Sequence, residues 1–165
     1  MKLLSAHFQN FRLLQDLEIQ FSTDPVRHLT VVRAANETGK TTLLMALQWA
    51  LYGDQALPDK GEGYRLHPID WDSSKGRTVP VVVTVEFEVV KYNRIAGTVQ
   101  DSRHRYRLIR STSEDLTGVA WRRAPSNVKL FALKERGATL IDSPDSAIDD
   151  ELPLELREVF FTDGD

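Results

Sequence analysis

The chain has 165 residues, of which 41% are hydrophobic and 27% are charged, and its formal net charge is −3. This length and balance fit one globular domain with a buried core, and no apolar run is long enough to span a bilayer. The absence of cysteine excludes a disulfide framework and thiolate metal ligands, which fits a cytoplasmic protein without a membrane partner. Basic residues dominate positions 91–123 and acidic residues dominate positions 135–165, so only the first region could face a polyanion.

The first part of the chain is predicted to form three short strands. Residues 3–8 and 17–21 make the first two, joined through residues 10–12. The third, 29–33, is a β-branched run of the kind that forms a buried strand. It leads directly into a loop, which the sheet would then hold at its centre.

That loop, residues 34–42, has the pattern of a phosphate-binding loop. It contains Gly39-Lys40-Thr41, as in G-x-x-x-x-G-K-[ST], although Ala34 stands where the pattern has its first glycine. Residues 41–52 are rich in helix formers and end at Gly53, a residue that commonly terminates a helix. A strand, a glycine-containing loop and a helix in this order form the context that the motif requires.

The chemistry of such a loop is the binding of nucleotide phosphates. Backbone N–H groups of the loop and of the helix start would converge on the phosphates, where the helix dipole also favours negative charge. Lys40 would add a cation, and the Thr41 hydroxyl would be a ligand for Mg²⁺.

The middle of the chain is predicted to be an antiparallel β-subdomain over residues 79–141. Positions 79–92 alternate between apolar and polar side chains, which indicates a half-buried strand. Residues 103–111 alternate again, so the two strands should form a hairpin with a loop at 93–101. The apolar face of the first strand would consist of Val81, Val83, Val85, Phe87 and Val89.

The remaining segments complete the prediction. Residues 53–78 contain clusters of Pro, Gly and Ser and are expected to be a long surface connection. Residues 128–133 and 139–141 should form a further antiparallel pair. Residues 143–150 are interpreted as a polar linker, and 152–160 as a short helix. The whole chain would be one domain with an α/β fold and a mixed sheet.

Several segments together resemble the N-terminal half of an SMC-like ABC ATPase head. They are Asn10-Phe11-Arg12 after the first strand, the loop 34–42, the helix end 47–53, Glu86-Phe87-Glu88 and residues 161–165. Within this group the sequence is most similar to the DndD family, the ATPases of bacterial DNA phosphorothioation systems. The resemblance implies a P-loop ABC-type ATPase half-head with ATP and Mg²⁺ as cofactors. It also implies four partners: DNA, the C-terminal half of the same head, a second head and other DNA-modification proteins.

The same resemblance assigns further site residues. Arg12 and Asn36 would approach the phosphates, and Asp163 would stand at the position of the Q-loop, where its carboxylate could contact Mg²⁺ or its water. The candidate nucleotide-binding residues are Arg12, Asn36, Glu37, Thr38, Gly39, Lys40, Thr41 and Thr42, and the candidate metal ligands are Thr41 and Asp163. No catalytic residue is assigned, since in this family the signature motif and the Walker B acid lie beyond a long coiled coil. The isolated chain is therefore expected to be a poor catalyst.

Other interpretations of these residues stay open. Asp142 and Asp163 each follow a short apolar run and compete as Walker B acids, but a turn aspartate is favoured for Asp142 because Ser143-Pro144 follows it. The protein could instead be another SMC-like ATPase, serving DNA repair or anti-phage defence. It could also be a non-catalytic scaffold that docks a partner through its β-subdomain.

A basic stripe on the predicted hairpin has two explanations. Arg103, Arg105 and Arg107 share one strand face and could contact DNA phosphates. Alternatively they pair across the hairpin with Glu86 and Glu88, an arrangement common on solvated sheet faces. The pairing is the favoured interpretation.

Overall fold

A computed structural model describes residues 1–27, 29–33, 35, 39–58, 63–95 and 98–156. The strands are β1 (Lys2–Phe11), β2 (Leu14–Gln20), β3 (Thr78–Ile95), β4 (Thr98–Thr117), β5 (Ala120–Arg123), β6 (Asn127–Lys134) and β7 (Gly137–Leu140). The α-helices are α1 (Lys40–Tyr52) and α2 (Pro144–Glu151), and 3₁₀ turns cover Gly53–Ala56, Ser73–Lys75 and Leu154–Leu156.

The strands form one sheet in the order β2-β1-β3-β4-β6-β7, with β5 paired to β4 beside this path. Every strand pair among the described residues is antiparallel. The long hairpin of β3 and β4 forms the middle of the sheet, with a register that runs from Thr78 opposite Asp115 to Ile95 opposite Thr98. The centre of the sheet is therefore this hairpin and not the loop before α1.

The core lies between one face of this sheet and α1. Alternation along β3 brings every second side chain to that face, so the five apolar residues predicted from the sequence are all buried. On α1, Trp49 is fully buried and its ring lies 5.7 Å from the ring of Phe11 on β1. Burial of a side chain of this size contributes roughly 1.5–3 kcal/mol relative to exposure, so the sheet and α1 stabilise each other.

The C-terminal end of α1 is fastened to the sheet by Arg110 of β4. Its Nε donates to the carbonyl oxygen of Ala50 at 2.9 Å, and its Nη2 donates to that of Leu51 at 3.3 Å and to Asp145 Oδ1 at 2.9 Å. The cation thus satisfies helix carbonyls and lies at the negative end of the helix dipole. It also connects α1 to α2, which carries Asp145.

Most predicted elements are confirmed. The two N-terminal strands, the helix that ends at Gly53, the β3–β4 hairpin and the pair of β6 and β7 all form close to the expected positions. The hairpin loop expected at 93–101 is shorter, because β3 continues to Ile95 and β4 begins at Thr98.

The third predicted strand is wrong. The structure assigns no strand to residues 29–33, and Leu29 and Val31 are 77% and 67% exposed. A strand is stabilised by backbone hydrogen bonds to a neighbouring strand, and none of the described strands pairs with this segment. The mixed sheet with the loop at its centre therefore does not form in the described part of the chain.

Two connecting segments contribute more to the core than their composition suggested. The stretch 53–78, expected to run over the surface, buries Leu57, Leu66 and His67. Residues 143–150, interpreted as a polar linker, mostly form α2, which begins with Pro144 at its first turn and buries Ile148. Ala147 also packs against the core, and Asp145 and Glu151 pair with Arg110 and Lys91, so this helix is held by both apolar and charged contacts. A helix was predicted at 152–160. The structure has a 3₁₀ turn there, at Leu154–Leu156, and positions 157–160 lie outside the described residues.

Candidate nucleotide-binding site

Four of the candidate residues lie together where α1 begins. Gly39 is the residue before the helix, and Lys40, Thr41 and Thr42 form its first turn, which the bond from the Leu43 N–H to the Gly39 carbonyl oxygen closes at 2.8 Å. Lys40 and Thr41 are exposed, whereas Thr42 is buried against the core. The candidates Asn36, Glu37 and Thr38 lie outside the described residues, and so does Asp163.

The electrostatics of this first turn favour an anion. Gly39, the residue before the helix, has no side chain that could cap the N–H groups at the start of α1, and the first turn contains no acidic residue. The partial positive charge of the helix N-terminus is therefore not neutralised within the turn. The turn instead carries the cation of Lys40, whose Nζ donates to the carbonyl oxygen of Ala35 at 3.3 Å.

Gly39 is required here by its backbone conformation. Its φ of 105° lies in the left-handed region, which side chains with a Cβ adopt only with strain. Space is not the constraint, since a Cβ at this position would lie 3.6 Å from the Cβ of Leu13, an ordinary contact. This contact shows that the β1–β2 turn lies directly beside the start of α1.

Arg12 belongs to that turn and is held by several contacts. Its N–H donates to the Leu66 carbonyl oxygen at 2.6 Å, and its Nη1 donates to the Arg65 carbonyl oxygen at 3.2 Å. Its guanidinium also lies over the ring of Tyr64, 4.8 Å from the centroid. Burial raises the pKa of the Tyr64 hydroxyl, and the Arg12 cation opposes that rise. Arg12 itself has a φ of 51°, a strained value that these contacts support.

The segment that holds Arg12 is in turn bound to a buried carboxylate on β4. Glu114, only 3% exposed, accepts from the N–H of Leu66 at 3.1 Å, from the N–H of His67 at 2.9 Å, and from His67 Nδ1. Arg65 Nε donates to His67 Nε2, so that nitrogen is an acceptor and Nδ1 carries the proton. His67 is therefore neutral, and burial lowers its pKa despite the opposing effect of Glu114.

Glu114 and His67 were not among the candidate residues, although the sequence contained a signal for one of them. Along β4, Leu108, Arg110, Thr112 and Glu114 follow each other at every second position, and all four are buried. Polar residues that continue the apolar face of a strand must find partners inside the protein. The partner of Glu114 lies 47 positions earlier in the chain, and no local pattern identifies it.

The metal prediction is only partly within the described structure. Thr41 stands at the first turn, where its hydroxyl is accessible, but Asp163 is not described. Among the residues that the structure describes, no group of three or more His, Asp or Glu side chains could hold a metal ion.

The sheet shows the surroundings of the arginine stripe and of Asp142. Arg105 and Arg103 lie 3.3 and 3.9 Å from Glu88, and Arg107 lies 2.7 Å from Glu86, so the predicted cross-strand pairing is confirmed. Asp142 follows β7, a four-residue strand at the end of the sheet whose residues are all exposed. It is a turn aspartate, as favoured from the sequence, and not a Walker B acid on a buried central strand.

Comparison with known proteins assigns the chain to a family. Among the described helices, none has the length and apolar character needed to cross a membrane. No curated protein matches the sequence. The model of a family described as AAA domain matches residues 5–142, a range that includes the β1–β2 turn, the start of α1 and Glu114. AAA ATPases in general bind ATP with Mg²⁺. The chain belongs to the AAA domain family and contains an ATPase region of the SMC-like, ABC type.

Proposed function

We propose that this chain is the ATP-binding half of an SMC-like ATPase that acts on DNA. The observation that carries the proposal is the start of α1, where Gly39, a left-handed residue with no capping side chain of its own, precedes a first turn that has no acid and an exposed Lys40. These are the features that allow backbone N–H groups to bind a phosphate.

The proposal gives roles to most of the candidate residues. Lys40 neutralises charge on the β- and γ-phosphates, and the Thr41 hydroxyl is a ligand for Mg²⁺. Asn36, Glu37 and Thr38 complete the loop around the phosphates, and Arg12 approaches them from the β1–β2 turn. Mg²⁺, when bound, neutralises charge that develops on the phosphate oxygens.

Hydrolysis needs groups from elsewhere. We propose that the C-terminal half of the head and a second head supply the signature motif and the hydrolytic acid, and that Asp163 contacts Mg²⁺ or its water. The exposed apolar side chains of Leu29, Val31 and Val32 offer that half a surface to cover. On its own the chain should bind ATP and turn it over very slowly.

The biological setting rests on the resemblance to the DndD family. We propose DNA phosphorothioation in the cytoplasm, with DNA and other DNA-modification proteins as partners. DNA affinity would come from phosphate contacts and would fall steeply with salt. The exposed parts of Arg103, Arg105 and Arg107 remain available for such contacts beside their ion pairs.

Calorimetric titration with ATP and Mg²⁺ tests the proposal. Lys40→Ala should abolish measurable binding, because it removes the cation at the phosphates. Lys129→Ala, which removes an exposed lysine from β6, is the matched control and should leave the affinity unchanged. Equal affinity of the Lys40→Ala variant and the unmodified chain would contradict the assignment of the loop.

A further inference from the structure

We propose that Glu114 is a positioning residue for the nucleotide site. Its role is to hold Arg12 beside the first turn of α1. This inference rests on the proposed function, since it concerns the placement of a residue assigned to the phosphates. The connection runs from Glu114 through the segment 64–67 to the β1–β2 turn.

The first link joins Glu114 to the segment 64–67. The carboxylate accepts the N–H groups of two consecutive residues, Leu66 and His67, and also His67 Nδ1. A buried carboxylate is costly unless hydrogen bonds satisfy it, and here all of these bonds come from one short segment. The position of this segment is therefore fixed relative to the inner face of β4.

The second link joins the same segment to Arg12. Two successive carbonyl oxygens, of Arg65 and Leu66, accept from the side chain and the backbone of Arg12, while the Tyr64 ring lies under its guanidinium. The N–H groups of the segment thus face Glu114 and its carbonyl groups face Arg12. Displacement of the segment would displace both the backbone and the side chain of Arg12.

The third link joins the turn to the helix start. Asn10 and Arg12 have φ values of 54° and 51°, a conformation that is strained for residues with side chains and needs support from the surroundings. Asn10 is supported by its bond to the Pro80 carbonyl oxygen at 2.8 Å, and Arg12 by the segment. Leu13, the residue after Arg12, lies close to the start of α1, because a Cβ built on Gly39 would be 3.6 Å from the Leu13 Cβ.

Hydrogen exchange on the nucleotide-free chain tests the first two links without any assumption about ATP. In Glu114→Gln, which keeps the shape but removes the charge, the Arg12 amide should exchange roughly tenfold faster, because its bond to Leu66 is no longer held in place. Glu88→Gln is the control, since Glu88 is also buried on the sheet but pairs with Arg103 and Arg105 instead. It should leave the exchange of Arg12 unchanged.

A double-mutant cycle on ATP affinity tests the third link. Glu114→Gln should weaken ATP binding roughly tenfold in the unmodified chain but less than about twofold in an Arg12→Ala background, because its effect passes through Arg12. A purely structural role would give the same loss in both backgrounds. Glu114→Asp keeps the charge but places it farther from the N–H groups, so it should show the same pattern to a smaller extent. It is used in place of Glu114→Gln if the glutamine variant does not fold.

The outcomes separate the two proposals. Unchanged exchange of the Arg12 amide in the Glu114 variants, or an equal loss of affinity in both backgrounds, would overturn the positioning role. Faster exchange of that amide in a chain that binds no ATP would instead overturn the proposed function and leave the link between Glu114 and Arg12 standing.

Discussion

Two regions of this protein have similar composition, but one forms a buried strand and the other is exposed and forms no strand. Residues 79–89 and 26–33 are both rich in valine, yet Val83 is fully buried in β3 whereas Val31 is 67% exposed and belongs to no strand. The first region pairs with β1 on one side and β4 on the other. β-branched side chains therefore favour a strand only where neighbouring strands supply the ladder and a helix covers the face.

Helix α1 lies between these two regions. Its C-terminal end is bound to the sheet by Arg110. At its N-terminal end, Gly39 lies beside the β1–β2 turn and Lys40 donates to the carbonyl oxygen of Ala35. The first turn of α1, where we propose that the nucleotide binds, is thus the end of the helix that Arg110 does not hold.

The largest difference in the free energy of unfolding is expected when leucine is replaced by alanine in the sheet and in the exposed segment. Leu108→Ala removes a fully buried side chain from β4 and should lower the free energy of unfolding by about 3 kcal/mol, through lost burial and the cavity left behind. Leu29→Ala should change it by less than about 0.5 kcal/mol, because Leu29 is 77% exposed. Urea unfolding of both variants measures the difference. Equal losses would mean that residues 29–33 are packed in solution.

The next effect concerns the anchored end of α1. Arg110→Met should cost about 2 kcal/mol, because it removes the hydrogen bonds to the last carbonyl groups of the helix and the favourable interaction with its dipole. Arg103→Met, on the same strand but 70% exposed, serves as the control and should be nearly neutral. Thermal unfolding distinguishes them, and a neutral Arg110→Met would show that α1 does not depend on this anchor.

A pH effect should follow from His67. Its pKa is lowered in the folded protein by burial, so the unfolded chain takes up a proton more readily as the pH falls through about 6.5. Stability should therefore be complete above that pH and decrease below it. The melting temperature of the unmodified chain between pH 7.5 and 5.5 should fall more steeply than that of His67→Gln, which cannot take up this proton. Parallel profiles would show that His67 does not contribute.

The smallest effect is expected on the solvated face of the hairpin. Arg107→Gln breaks the ion pair with Glu86, but the arginine side chain is 46% exposed and water screens the interaction. The loss should be about 0.3 kcal/mol and should vanish at high salt. A loss above about 1 kcal/mol in chemical unfolding would show that this face is covered in solution.

The sequence by itself determined the elements with a clear local signal. The alternation of 79–92 identified β3 and its buried face, and the helix formers between Lys40 and Gly53 identified α1. The opposite charges of Arg107 and Glu86 indicated their pairing before the register was known. In each case the information is contained within a short window or a single hairpin.

The tertiary structure alone decided what depends on distant neighbours. Whether 29–33 becomes a strand depends on a partner strand, and the segment itself carries no information about one. The burial of His67 beside Glu114 joins residues 47 positions apart, and the segment that carries His67 also binds Arg12. Such contacts are set by the pairing order of the strands, because that order brings the end of β4 and the β1–β2 turn to the two sides of residues 64–67.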